Sequence, residues 1–159
     1  GPSGRLPVPE DPRAFIAAAE RGINERDLEA TAGVYADDAF MQTFTDGAEE
    51  SFRGAAAVRG AWASYLKAMA ARDFRLAKTV VSVTDEVILN EWTGTIGGRN
   101  ESRGIEYWVF DDAGRVREHR LYTFLDVRPS TSPVQRARMG LAYPRTALSL
   151  LRAQRKRDG

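Results

Sequence analysis

The sequence contains no cysteine and a single histidine, His119. Without cysteine the chain cannot form a disulfide, a thiolate zinc site or a cysteine nucleophile, and one histidine excludes a histidine-rich metal centre. No apolar run reaches the roughly 18 residues that a membrane-spanning helix needs, and no charged-apolar-small signal sequence opens the chain. We therefore expect a cytoplasmic protein that works without a metal or another cofactor.

Charge is distributed unevenly along the chain. Residues 1–128 carry 16 Lys and Arg against 21 Asp and Glu, whereas residues 129–159 carry seven against one. With 159 residues, 43% of them hydrophobic, the chain is long enough for one ordinary domain but not for two. We divide it into a tag remnant or N-terminal arm (residues 1–9, beginning Gly1-Pro2-Ser3-Gly4), a domain (10–128) and a basic C-terminal extension (129–159).

The segment from Glu86 to Asp126 predicts three adjacent strands. Its three runs of β-branched and aromatic residues are separated by Gly97-Gly98 and by Asp111-Asp112-Ala113-Gly114. Glycine tolerates positive φ angles and Asp tolerates the left-handed region, so such clusters between apolar runs indicate hairpins and antiparallel pairing. One face of this sheet must be covered by the rest of the chain.

Helices and shorter strands precede this sheet. Asp11 and Pro12 form an N-cap and first-turn signal for a first helix, and a second short helix is predicted from Asp27 to about Tyr35. The remaining predicted elements are a strand over residues 39–44, a long amphipathic helix over 55–71 and a strand over 74–83. Helices set apart from a run of antiparallel strands indicate the α+β class, with the helices on one face of the sheet.

The basic extension is predicted to be helical from residue 133 to about 153. Ser132-Pro133 and Tyr143-Pro144 are helix-start signals, and residues 155–159 are expected to fray. We expect these helices to pack on the acidic body or on a partner subunit. Binding of nucleic acid or of an anionic membrane through the basic tail is the less favoured alternative.

Four short motifs, taken with the order of elements, are similar to those of a known superfamily. They are Tyr35-Ala36-Asp37-Asp38-Ala39, Phe52-Arg53-Gly54, Glu91-Trp92-Thr93-Gly94-Thr95, and Gly114-Arg115-Val116 leading to Tyr122. In these four motifs the chain resembles the nuclear transport factor 2-like superfamily, and more narrowly its SnoaL-like (polyketide cyclase and ketosteroid isomerase-like) branch. The resemblance implies a cone-shaped α+β barrel, with three N-terminal helices on a strongly curved, mainly antiparallel sheet and a deep pocket between them. It also implies a homodimer.

The resemblance leaves the chemistry of the pocket open. It implies a cofactor-free enzyme of the cyclase, isomerase or dehydratase (lyase) type acting on an apolar polyketide- or terpenoid-like molecule. A non-catalytic small-molecule-binding module of the same fold is the alternative. Thr43 and Leu121 stand where ketosteroid isomerases and limonene-type epoxide hydrolases, respectively, place a catalytic Asp, so both of those mechanisms are disfavoured.

Strand alternation, aligned with the family pattern, predicts which side chains face the pocket. We expect His119, Asn90 and Thr43 to be catalytic: His119 as general acid or base, Asn90 as an oxyanion donor and Thr43 as an orienting hydroxyl. Arg117 shares the predicted inward face of the last strand. The predicted substrate-binding residues are Met41, Trp62, Tyr65, Leu66, Trp92 and Leu121.

A slip of one residue in the last strand would exchange these side chains for their neighbours. Glu118 and Tyr122 would then be the acid–base candidates. Glu106 is a third alternative, since a carboxyl group in an apolar strand acquires a raised pKa if it is buried. We expect Glu106 instead to face water or a partner subunit.

Overall fold

The structure is a computed structural model that describes residues 6–157. The Gly1-Pro2-Ser3-Gly4 segment, which we interpret as a tag remnant, lies outside the described residues. In chain order the elements are α1 (Pro12–Asn24), α2 (Leu28–Ala32), β1 (Tyr35–Thr45), β2 (Ala48–Arg53), α3 (Ala55–Ala71), β3 (Phe74–Val83), β4 (Val87–Ile96), β5 (Asn100–Phe110), β6 (Val116–Phe124), α4 (Pro133–Ala142) and α5 (Pro144–Arg157).

The six strands form one curved, unclosed sheet in the order β2-β1-β6-β5-β4-β3. Strands β3 to β6 pair as successive antiparallel neighbours, and the Gly and Asp clusters predict this pairing for β4, β5 and β6. Strands β1 and β2 form a hairpin, and β1 pairs in parallel with β6. The α+β class and the mainly antiparallel sheet predicted from the sequence are therefore confirmed.

The first two helices begin at the predicted caps. The Asp11 side chain accepts a hydrogen bond of 3.0 Å from the Ala14 amide, and Pro12 opens α1. Helix α2 ends at Ala32, so its predicted end near Tyr35 is wrong. Tyr35 is instead the first residue of β1, since the β-branched and aromatic pair Val34-Tyr35 favours extended backbone over helix.

The strand β2 is missing from the sequence prediction. Its residues, Ala-Glu-Glu-Ser-Phe-Arg, lie at the edge of the sheet, and Phe52 is its one partly buried side chain. Five of its six residues are exposed, so this edge strand shows no apolar alternation and the alternation rule does not detect it.

The three N-terminal helices cover one face of the sheet. Helix α1 packs on β3, α3 packs on β1 and β2, and α2 contacts both α1 and α3. The predicted apolar stripe of α3 is confirmed, because it buries Val58, Ala61, Trp62 and Leu66. The core lies between these helices and the inner side chains of the strands.

A β-bulge at Arg117 changes the alternation in β6. Val109 pairs with Glu118, whereas Phe110 pairs with Val116, which leaves Arg117 without an opposite residue on β5. Val116 and His119 are both fully buried although they are three residues apart. The Arg117 side chain is 51% exposed and faces Glu86, so the prediction that Arg117 points inward is wrong.

Residues from Val127 onward form a second unit, and the sequence places this boundary after Arg128. The predicted C-terminal helices are present as α4 and α5, which begin at Pro133 and Pro144. Helix α5 continues to Arg157, beyond the point at which fraying was expected. None of the described helices is both long and apolar enough to cross a bilayer. Packing of this unit on the body stays a prediction.

Candidate functional site

A cavity of about 320 Å³ lies between the helices and the inner face of the sheet. This volume is at the lower end of the range of small-molecule sites, roughly 300–1,000 Å³. The cavity is lined mainly by apolar and aromatic side chains. They include Ile23, Trp62, Ala68, Met69, Phe74, Leu76, Trp92, Leu121 and Leu125, and the polar lining residues are Thr43, Thr45, Glu50, Tyr65, Lys78, Glu106 and Thr123.

Two opposite charges stand at the buried end of this cavity. Glu106 on β5 is fully buried, and the Lys78 side chain on β3 is 2% exposed. The Lys78 ammonium donates a hydrogen bond to Glu106 Oε1 and forms an ion pair with it. Strand alternation explains the placement, because Lys78 shares its face with Phe74 and Leu76, and Glu106 shares its face with Trp108.

Further donors hold the Glu106 carboxylate in place. Asn90 Nδ2 donates to Oε1 at 2.9 Å, and His119 Nε2 lies 2.9 Å from Oε2. Burial alone would raise the pKa of Glu106, but the Lys78 ammonium and the hydrogen bond from His119 outweigh it and hold the pKa at about 2. Glu106 is therefore ionised at neutral pH.

His119 connects this carboxylate to a buried aromatic cluster. Its Nδ1 lies 2.7 Å from the Tyr35 hydroxyl, which accepts a hydrogen bond of 2.9 Å from Trp62 Nε1. Burial lowers the pKa of His119 despite the opposing influence of Glu106, and the imidazole is therefore neutral at pH 7. The consistent hydrogen-bond pattern has Tyr35 donating to Nδ1 and Nε2–H donating to Glu106.

The Trp108 indole contacts two of the three groups that touch the Glu106 carboxylate. It stacks on the His119 ring with 3.5 Å between the ring centroids and 17° between the planes. Its Nε1 donates a hydrogen bond of 2.8 Å to Asn90 Oδ1. The arrangement is a carboxylate fixed in one orientation at the wall of an apolar cavity, where it can transfer a proton to or from a bound molecule.

The three predicted catalytic residues have different positions relative to the cavity. Thr43 lines it, and its Oγ1 lies 3.2 Å from the Tyr65 hydroxyl. His119 and Asn90 are fully buried behind Glu106 and are not among the lining residues. Their geometry makes any role in proton transfer indirect, through Glu106. The amide that we expected to bind an oxyanion already donates to that carboxylate.

Four of the six predicted substrate-binding residues line the cavity: Trp62, Tyr65, Trp92 and Leu121. Met41 and Leu66 belong to the core instead. The Trp92 indole lies over Gly104, where a Cβ atom would come within 2.4 Å of the ring. Only glycine at residue 104 leaves room for this indole, which shapes the cavity wall.

The register alternatives are resolved by the position of the last strand. Glu118 and Tyr122 lie on the other face of β6, where Glu118 pairs with Arg120 at 2.7 Å and Tyr122 stacks on Phe44 at 5.0 Å. The slip of one residue therefore does not occur. Glu106 is buried at the cavity wall, which corrects the expectation that it faces water or a partner subunit.

Sequence reasoning missed Lys78 and Tyr35. A signal for Lys78 was present, since it alternates with Phe74, Leu76 and Val80 along a predicted strand and so falls on the apolar face. The contact of Tyr35 with His119 was not predicted because the second helix was expected to extend to about Tyr35. Within residues 6–157, no group of three or more His, Cys, Asp or Glu side chains is placed to hold a metal ion.

Solved structures of similar fold include functionally different proteins. A steroid delta-isomerase from Pseudomonas aeruginosa is 23% identical, with 92% of this chain and 98% of that chain covered and a TM-score of 0.53. The epoxide hydrolase/cyclase-like enzyme SalBIII, described in pyran ring formation in the polyether salinomycin, is 14% identical over 70% and 88% of the two chains, with a TM-score of 0.54. A SnoaL-like protein of unknown function from Burkholderia thailandensis is 19% identical over 70% and 96%, with a TM-score of 0.55.

At these identities the likeness shows the fold alone. No curated protein sequence matches the chain significantly. The family model described as the SnoaL-like domain matches residues 13–119, which is more than half of the chain and includes every residue of the cluster around Glu106. The chain therefore belongs to the SnoaL-like domain family.

Proposed function

We propose that this protein is a cofactor-free enzyme of the cyclase, isomerase or dehydratase type. Its substrate is an apolar, polyketide- or terpenoid-like small molecule that binds in the cavity. The observation that carries the proposal is the ionised Glu106 carboxylate, which is oriented by Asn90 and His119 and reaches the wall of an otherwise mainly apolar cavity. A carboxylate in such a setting transfers protons without solvent competing for it.

In the proposed reaction Glu106 is the catalytic residue. Its carboxylate removes a proton from a carbon next to a substrate carbonyl. The electron pair of the broken C–H bond forms a C=C bond, and the π pair of the carbonyl moves to its oxygen. The Glu106 carboxylic acid then returns the proton to another substrate atom. His119 and Asn90 are positioning residues, and the hydroxyls of Thr43 and Tyr65 orient the substrate. Such general acid–base catalysis contributes about 10²–10⁴-fold to the rate.

A second function is favoured by one specific observation. The pKa of Glu106 is about 2, whereas an efficient general base has a pKa near the working pH. A carboxylate with so low a proton affinity is consistent with a non-catalytic binding module, in which the Lys78–Glu106 pair only shapes the buried end of the cavity. The two functions make opposite predictions for proton transfer to a bound ketone.

The discriminating experiment uses an enolisable bicyclic ketone, 2-tetralone, in D₂O. Proton NMR follows replacement of its α-hydrogens by deuterium, and tryptophan fluorescence follows its binding. If the protein is an enzyme, exchange in the wild type should be well above the buffer rate, and the exchange rate should fall by about 10²-fold or more in Glu106→Gln. Glu118→Gln is the matched control, because Glu118 lies on the neighbouring strand but faces away from the cavity. Binding without exchange above the buffer rate in the wild type supports the binding module and contradicts the enzyme.

We further propose that the protein is a homodimer. The support is an apolar group on the outer face of the sheet, where Ile105 is 41% and Phe124 is 58% exposed beside the stacked pair of Phe44 and Tyr122. Light scattering at micromolar concentration tests this directly, and a monomeric mass contradicts it. Cytoplasmic location stays a prediction from the sequence.

A further inference from the structure

Lys78 is the feature of the cavity that the proposed function leaves unused. Its side chain is 2% exposed and extends from β3 into the same cavity as Glu106. The strand beneath it is fixed, because the Lys78 amide donates a hydrogen bond of 2.6 Å to Glu20 on α1 and Lys78 pairs with Trp92 on β4. A buried ammonium is therefore held at the cavity wall from a well-anchored backbone.

The hydrogen-bonding capacity of this pair is unbalanced. An ammonium group has three N–H donors, and among the described residues the Lys78 ammonium donates to Glu106 alone. The carboxylate, in contrast, already accepts from Lys78, Asn90 and His119. The buried end of the cavity therefore has unused hydrogen-bond donors and few free acceptors. A bound molecule complements it best by placing an acceptor oxygen there.

Stability alone does not account for this arrangement. The cost of removing two charges from water usually cancels their attraction, and apolar residues of similar volume stabilise a core equally well or better. Donors left without partners at a buried cavity wall add a further cost. A ligand oxygen that accepts from the ammonium would remove that cost only when the cavity is filled.

We propose that the Lys78 ammonium binds the carbonyl oxygen of the substrate, so that the cavity selects apolar ketones that enter with this oxygen first. This inference rests on the proposed function and specifies its substrate class. It also assigns Lys78 a catalytic role, because the ammonium would stabilise the negative charge that develops on the oxygen when Glu106 removes the α-proton.

The same contact would make Glu106 a better base. The Lys78 charge is the largest influence that lowers the pKa of Glu106. When the carbonyl oxygen draws the ammonium away from the carboxylate, that influence weakens and the pKa of Glu106 rises toward the range of an efficient base. The substrate would thus activate the carboxylate on binding, and the low pKa of Glu106 would be compatible with catalysis.

The test compares binding of 2-tetralone with binding of tetralin, which has the same two rings but no oxygen. Dissociation constants are measured for the wild type, Glu106→Gln and the double variant Lys78→Met/Glu106→Gln, which removes both charges together. The ratio of the tetralin constant to the tetralone constant should be similar in the wild type and in Glu106→Gln. It should fall by about tenfold or more in the double variant, the loss expected for a hydrogen bond to a charged donor.

An unchanged ratio in a folded double variant overturns the inference, as does failure of 2-tetralone to bind the wild type at millimolar concentration. If the double variant does not fold, the carbonyl stretching band of bound 2-tetralone gives the answer in the wild type and in Glu106→Gln. A shift to lower frequency than in cyclohexane supports the contact, and a band at the cyclohexane position overturns it. Neither readout requires turnover, so a preference for the ketone without deuterium exchange would refute the proposed enzyme but not the role of Lys78 in recognition.

Discussion

Replacing Lys78 by Met should reverse the pH dependence of stability. In the wild type the Lys78 ammonium and His119 hold the pKa of Glu106 at about 2, below its ordinary value of 4.5. A group with a depressed pKa stabilises the fold above its ordinary pKa and loses that contribution as the pH falls through the folded value. For Glu106 the loss should extend from about pH 4.5 to about pH 2 and amount to on the order of 3 kcal/mol.

The substitution leaves the carboxylate buried without its cation. Removing one partner of a buried ion pair costs about 3–5 kcal/mol at neutral pH. Burial, the largest influence on Glu106, is then opposed more weakly, so its pKa should rise above the ordinary value. A group with a raised pKa stabilises the fold below its ordinary pKa and loses that contribution as the pH increases. The variant should therefore be more stable at pH 5 than at pH 8.

Urea unfolding at pH 5, 6, 7 and 8 measures this slope, with tryptophan fluorescence as the signal because Trp62, Trp92 and Trp108 are all buried. The double variant Lys78→Met/Glu106→Gln should recover most of the lost stability and should no longer become less stable from pH 5 to pH 8, since it removes both charges. Arg103→Met is the control for a lost cation: Arg103 and its partner Glu101 are both exposed, and the change in stability should stay within about 1 kcal/mol. If Lys78→Met keeps the wild-type stability and slope, the buried pair does not exist in solution.

Three further predictions address other parts of the molecule. His119→Gln should slow deuterium exchange by on the order of 10²-fold and lower the free energy of unfolding by about 1–3 kcal/mol, because Tyr35 and Glu106 lose partners; wild-type exchange in this variant would show that His119 does not support Glu106. Gly104→Ala should lower stability by about 1–3 kcal/mol and weaken 2-tetralone binding, since the new Cβ collides with Trp92; unaltered binding would remove Trp92 from the site. Truncation after Arg128 should lower the melting temperature or weaken the dimer if the tail packs on folded protein, whereas unchanged melting with lost binding to anionic vesicles or DNA at low salt would identify a free basic arm.

The sequence predicts most of the fold because the determining signals are local. Residues close together in the sequence determine the Asp11 cap, the apolar stripe of α3 and the glycine turns between β4, β5 and β6. The strand that the sequence did not predict depends instead on residues outside the strand itself. Strand β2 forms only because β1 offers it an edge, and its own residues are polar. A strand that forms because of its pairing partner need not show alternating apolar residues in its own sequence.

The candidate site is partly predictable for the same reason. Alternation correctly places Thr43, Trp92 and Leu121 at the cavity, because each lies in a regular stretch of strand. It fails at Arg117, where the bulge breaks the period of two. The pairing of Lys78 with Glu106 could not be inferred, since the two residues lie on strands separated by β4 and meet only when the sheet curves.

Under the proposed role of Lys78, the low pKa of Glu106 is compatible with catalysis. A single buried carboxylate facing an apolar cavity would take up a proton at neutral pH and would then be an acid rather than a base. Lys78 prevents this by supplying one positive charge, and His119 supplies a hydrogen bond while remaining neutral. Neutral His119 is essential to the balance, because a second positive charge would hold the proton affinity of Glu106 low even after a ligand had engaged Lys78. Burial of the imidazole against Trp108 lowers the pKa of His119. In the proposed mechanism Lys78 is therefore the one charged group through which a bound ketone would change the basicity of Glu106.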